Sequence, residues 1–198
     1  GVVHRTPVVD SRALSALAGG RVALKCENLQ RAGSFKIRGA YVRMSRLAPA
    51  EAARGVVAAS AGNHAQGVAL AAQLLGVRST VFMPVGAALP KVAATRGYGA
   101  EIRTAGATLD EALVAARAWA DETGAVLIHP YDHVDVVAGQ GSVGLEVLEQ
   151  VPDVRTIVVP VGGGGLAAGI AAAVADRDVR VVGVQAAGAA AWPGTLAA

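Results

Sequence analysis

From position 55 onward, short runs of β-branched apolar residues alternate with longer Ala-rich stretches whose apolar positions recur at helical spacing. Gly55-Val56-Val57-Ala58-Ala59 precedes Ala65 to Leu75, and Thr80-Val81-Phe82-Met83 precedes Pro90 to Arg96. Glu101-Ile102-Arg103, Leu109 to Thr123, Val126-Leu127-Ile128 and Gly141 to Gln150 continue the series. It closes with Thr156 to Val159, Leu166 to Ala175 and Arg180 to Val184. A strand followed by a helix brings the next strand back parallel, with the helix covering one face of the sheet. The alternation therefore predicts an α/β protein. Asp110 and Glu111 suit the positive end of the helix over 109–123, and Gly124 supplies its stop. The stretch His129-Pro130-Tyr131-Asp132-His133 breaks the pattern between Ile128 and Gln140, as a segment that links lobes or lines a cleft does.

Composition removes several function classes. The chain is 53% hydrophobic and 17% charged, with Ala, Val and Leu dominating, which describes a packed globule rather than a disordered segment. The net charge of +3 is spread over scattered arginines without a basic run, so nucleic acid is not an expected partner. Gly, Arg, Gln or Asp cut every apolar stretch before the roughly 20 residues that a membrane span needs. Gly1 to Pro7 has no signal-peptide character, and a cytoplasmic location is the expectation. Cys26 is the sole cysteine, which excludes an intrachain disulfide and is expected to be a small buried hydrophobe.

Three segments carry chemistry. In Gly33-Ser34-Phe35-Lys36-Ile37-Arg38-Gly39-Ala40, Phe35 and Ile37 flank a lysine. Partial desolvation between such neighbours lowers an amine's pKa and makes it a nucleophile towards carbonyls; the alternative is a surface lysine with its stem on apolar neighbours. Ser60-Ala61-Gly62-Asn63-His64 lies between a strand and an Ala-rich helix. Free N–H groups at a helix start and the amide of Asn63 suit an anionic group. The alternative is a tight turn capped by Ser60, with His64 a helix-start residue of no chemical duty. Gly162-Gly163-Gly164-Gly165-Leu166 follows another strand. Four successive glycines are costly to order, so backbone amides wrapping an anion, most simply a phosphate, are expected there; the alternative is a flexible turn. The loop has neither the Lys-Ser/Thr of a P-loop nor a dinucleotide fingerprint.

With these motifs in this order, the chain resembles the fold-type II pyridoxal-phosphate enzymes, most closely the serine/threonine dehydratases, along its whole length. The resemblance implies the tryptophan synthase β-like fold: two open, mostly parallel sheets with flanking helices, of which the C-terminal part of the large domain is absent here. It puts residues 1–40 and 135–198 in the large cofactor domain and 41–134 in the small one. It implies pyridoxal 5'-phosphate as cofactor, Lys36 as Schiff-base lysine and Cα base, and Phe35 beside it. Asn63 would meet the cofactor's ring hydroxyl, Gly162, Gly163, Gly164, Gly165 and Leu166 its phosphate, and Ser60, Ala61, Gly62, Asn63 and His64 the substrate carboxylate. The implied reaction is β-elimination of L-threonine to 2-oxobutanoate and ammonia, with L-serine giving pyruvate, in a homodimer or tetramer.

Departures from the family pattern keep alternatives in view. Ala32 stands where a threonine is common. Ala61 stands where serine racemases carry a second-face serine, which favours elimination over racemisation. Gln185 and Ala189 to Ala191 occupy the places of acidic metal ligands, so no metal is expected. The family's pyridine-nitrogen partner falls beyond position 198. A serine racemase, another enzyme of this fold, and a non-catalytic cofactor-binding fragment are the other readings.

Overall fold

The computed structural model describes residues 1–196; the last two positions of the expected large domain, 197 and 198, lie outside the described residues. The chain opens with β1 (Val8–Asp10), α1 (Arg12–Ala18) and β2 (Ala23–Lys25), the two strands pairing antiparallel. Two 3₁₀ turns, Glu27–Leu29 and Arg31–Gly33, lead into α2 (Lys36–Ser45). Ala32, inside the second turn, adopts φ 59, a left-handed conformation that costs a Cβ-bearing residue roughly 1–2 kcal/mol. Then follow α3 (Pro49–Arg54), β3 (Val56–Ala59), α4 (Asn63–Leu75), β4 (Ser79–Met83), α5 (Leu89–Gly97), β5 (Glu101–Thr104), α6 (Leu109–Thr123) and β6 (Val126–Leu127). The last part is α7 (Val134–Gln150), β7 (Thr156–Pro160), α8 (Gly165–Ala173), β8 (Arg180–Val184) and α9 (Trp192–Leu196).

The four strands β5-β4-β3-β6 form a wholly parallel sheet in that order, and β7-β8 form a parallel pair. Alternation along the strands decides what each face meets. Val57 and Phe82 point to Ala112, Ala116 and Trp119 of α6, whereas Val81 and Met83 meet Ala65 and Ala69 of α4. Arg103 stacks on the Trp119 ring at 3.7 Å. Local capping agrees with the tertiary arrangement. Thr108 and Glu111 make a reciprocal capping box at the start of α6, and Gly124 ends it at φ 71.

Helix α7 starts seven residues before the helical stretch that periodicity predicts, because Val134 to Gln140 follow directly on the interrupted stretch and carry no clear helical period. Its glycines mark close crossings. A Cβ on Gly139 would stand 2.5 Å from the Arg38 carbonyl oxygen, and one on Gly169 would stand 2.4 Å from that of Val137. Only backbone without side chains fits between α2, α7 and α8 at these points. A buried ionic cluster braces the same crossing. Arg38, with a side chain 1% exposed, donates through Nε and Nη2 to Glu27 at 2.8 Å and through Nη1 to Glu146 at 2.7 Å. Lys25 also donates to Glu146 and to Gln150. Burial alone would raise the Glu146 carboxyl, but its bonds with Arg38 and Lys25 outweigh that and hold it below the usual range. Cys26 is half-buried, more exposed than its sequence context suggests.

Candidate active site

Lys36 opens α2, and its backbone N–H donates to Ser34 Oγ at 3.4 Å. Lys36 does not directly follow a parallel strand: β2 is antiparallel and the two 3₁₀ turns intervene before this lysine. The other two motifs do follow parallel strands, Ser60 after β3 and Gly162 after β7. The Lys36 side chain leaves the helix towards a segment far along the chain. Its Nζ donates to the Pro130 carbonyl at 2.7 Å and lies 5.3 Å from the Phe35 ring centroid. Burial lowers the pKa of this amine from that of an ordinary lysine, since the charged form loses hydration and, among the described residues, no carboxylate pairs with it.

A cavity of about 360 Å³ brings Lys36 and Phe35 together with Gly162, Gly163, Gly164, Gly165 and Leu166. Pro130, Tyr131 and Gln140 line it too. At Gly163, Gly164 and Gly165 the loop has no room for side chains. A Cβ on Gly163 would stand 2.2 Å from the Tyr131 ring, and Gly164 has φ 92, in the left-handed region. Gly165 begins α8, so the positive end of a nine-residue helix meets the loop. Among the described residues, the N–H groups of Gly162, Gly163 and Gly164 donate to no protein acceptor. A partly desolvated amine on one wall and free amides on another are what a phosphorylated aldehyde requires: a nucleophile for the carbonyl and donors for the phosphate.

The Ser60–His64 turn is not among the residues lining this cavity. Asn63 is exposed as the first residue of α4, and the N-cap is Gly62 rather than Ser60, whose Oγ accepts from the Gly62 N–H at 3.1 Å. His64 is 5% exposed, and its Nε2 lies 2.8 Å from the Ile128 carbonyl oxygen. Burial first, with the charge of Lys36 adding to it, pushes its pKa down to about 4, so the ring is neutral and donates from Nε2. His64 and Lys36 thus hold carbonyls two residues apart on the stretch joining β6 to α7. Ala61 and Gly62 are half-buried in the turn before α4.

Pro130 and Tyr131, in the stretch that sequence marks as linking lobes or lining a cleft, do line this cavity, whereas Gln140 is not singled out by sequence. A glutamine between glycines in an apolar helix was the signal for Gln140, which is 1% exposed and accepts from the Gly39 N–H at 3.2 Å. Gln185, which stands in the place of a metal ligand, instead donates to the Val161 carbonyl at 3.1 Å.

The model of the family described as pyridoxal-phosphate dependent enzyme matches residues 1–198. An L-threonine ammonia-lyase of Thermotoga maritima is 53% identical over 186 residues, covering 93% of this chain and 46% of that protein. The processed form of threonine deaminase isoform 2 from Solanum lycopersicum superposes with a TM-score of 0.96 at 39% identity, over 99% of this chain and 58% of that one. Maize serine racemase superposes with a TM-score of 0.88 at 43% identity, over 91% and 56%. The chain spans about half the length of the curated relatives it matches. Among the described residues, no helix is long and apolar enough to cross a membrane.

Proposed function

This chain belongs to the pyridoxal-phosphate dependent enzyme family, and from that membership we propose that it carries the site of a threonine/serine dehydratase. The observation that carries the proposal is the cavity shared by the desolvated Lys36 amine and the free amides of the Gly162–Gly165 loop. The name of the Thermotoga maritima relative supports the choice of L-threonine; L-serine is the second substrate in this reading.

In this reading Gly162, Gly163, Gly164 and Gly165, with Leu166, hold the cofactor's phosphate, and Lys36 holds its aldehyde carbon. When bound, pyridoxal phosphate supplies an electron sink that acidifies the substrate's Cα–H. Lys36 Nζ, uncharged more readily than an ordinary lysine, takes that proton, and hydroxide then leaves Cβ. Overall, L-threonine becomes 2-oxobutanoate and ammonia, the water lost at Cβ being regained when the C–N bond hydrolyses. Phe35 and Leu166 keep water off the amine. Ser60, Ala61, Gly62, Asn63 and His64 receive the substrate carboxylate, and Asn63 reaches the ring hydroxyl. That assignment needs the turn before α4 to approach the cavity, since it does not line it. Residues 1–40 and 135–198 serve as the cofactor domain and 41–134 as the smaller one. The enzyme is a homodimer or tetramer working in the cytoplasm, where free amino acids are its substrates.

Keto-acid release from L-threonine and L-serine tests the proposal, with chiral analysis of L-serine alongside. Ala61 offers no acid or base to the second face of the substrate, so 2-oxobutanoate and pyruvate are expected and D-serine is not. D-serine as the main product would establish the racemase reading that the maize structure makes the second choice. Turnover by the 198-residue chain itself would remove the non-catalytic alternative. Cofactor binding without any keto acid would sink the dehydratase.

A further inference from the structure

We propose that Gln185 and Trp192 are positioning residues that turn the amides of the glycine loop towards the cofactor's phosphate; the proposal rests on the reading of Gly162–Gly165 as the phosphate site. Trp192 Nε1 donates to the Gly162 carbonyl at 2.9 Å. Gln185 Nε2 donates to the Val161 carbonyl at 3.1 Å and reaches that of Gly162 at 3.4 Å. The two residues are themselves joined, since the Trp192 backbone N–H donates to Gln185 Oε1 at 3.0 Å.

A trans peptide is planar, so its C=O and the following N–H point in opposite directions. Anchoring the carbonyls of Val161 and Gly162 on one side therefore fixes the N–H groups of Gly162 and Gly163 on the other. Glycine has the widest choice of backbone conformations, and a run of four would otherwise sample many in which these amides diverge. The strap from Gln185 to Trp192 removes that freedom before a ligand arrives, which is how preorganised donors gain affinity. The Trp192 ring also closes the loop sterically, lying 2.3 Å from where a Cβ on Gly164 would stand. Gln185 thus has a role that an acidic residue in its place could not fill, because a carboxylate cannot donate to a carbonyl.

The test compares pyridoxal 5'-phosphate with pyridoxal, which lacks the phosphate, on the full chain freed of cofactor by dialysis. Trp192→Phe keeps an aromatic side chain, smaller than the indole, and removes the Nε1 donor. Losing one oriented hydrogen bond is expected to weaken pyridoxal 5'-phosphate binding about five- to tenfold while leaving pyridoxal binding unchanged. Gln185→Met, similar in size, is expected to do the same and carries the test if Trp192→Phe does not fold. Equal weakening of both ligands, or of neither, would overturn the proposal and leave the pair a purely structural contact. Unsubstituted protein that binds the two ligands equally would overturn it differently, by removing the phosphate-loop reading itself.

Discussion

The Arg38 guanidinium, two residues along α2 from Lys36, is gripped at 2.7 Å by Glu146, which lies 108 residues further along the chain. Glu27 grips its other edge. Arg38→Met leaves two carboxylates with one fewer cation in a buried place, and a loss of about 3–5 kcal/mol is expected. In Arg38→Met/Glu27→Gln, the Lys25–Glu146 pair remains balanced, so part of that loss should return. Urea midpoints of the two variants decide the matter. A double variant no better than the single one would mean that packing, not charge, sets the cost.

Gly139 offers a second stability test. Its missing Cβ would meet Arg38 backbone at 2.5 Å and the Gly39 Cα at 2.6 Å, and neither can yield as a flexible side chain does. Gly139→Ala is expected to cost about 1–3 kcal/mol or more. Gly20 has open space around it and serves as control, so Gly20→Ala should leave the midpoint nearly unchanged.

His64 makes stability depend on pH in a definite direction. Above its ordinary value of 6.5 the ring is neutral whether the chain is folded or not. Between 6.5 and about 4 only the unfolded chain takes up the proton, so stability falls as pH falls; below about 4 the loss is complete. The whole step amounts to about 3 kcal/mol. His129, also pushed down chiefly by burial, adds in the same direction. His64→Gln should flatten most of the slope of urea midpoint against pH over this window, and an unchanged slope would assign the effect elsewhere.

Lys36 itself is open to direct chemical proof. Borohydride reduction of the cofactor-loaded protein should fix the label on residue 36, as read by peptide mass spectrometry. Lys36→Ala should lose both the label and, if the amine is the Cα base, about 10²- to 10⁴-fold in turnover. A label found on Lys25 or Lys91 instead would remove Lys36 from its assigned role.

Period and composition made the α/β class legible, because each strand from β3 to β8 is a β-branched run next to an Ala-rich helix. The start of α7 was not legible, since the first seven residues, Val134 to Gln140, follow directly on the interrupted stretch and carry no clear helical period, while Gly139, Gly141 and Gly144 turn out to be the points where helix backbones nearly touch. Lys36 and the Gly162–Gly165 loop were recognisable as motifs, and the fold brings them to one cavity. What joins them was beyond local pattern. Pro130 contributes a carbonyl oxygen, which any residue could offer, and the partners of Arg38 are 11 and 108 positions distant. Gln185 looked like a metal ligand replaced, whereas its amide finds work on the loop that precedes α8.

The bond from Lys36 Nζ to the Pro130 carbonyl has a consequence for how the protein announces its own state. If Lys36 holds the cofactor's aldehyde as proposed, its nitrogen would have fewer N–H groups to give, and the Pro130 carbonyl is expected to lose or weaken this bond on loading. His64 holds the Ile128 carbonyl two residues earlier on the same short link between β6 and α7. The stretching frequency of the Pro130 carbonyl, read with an isotope label at that position, is expected to differ between loaded and unloaded molecules.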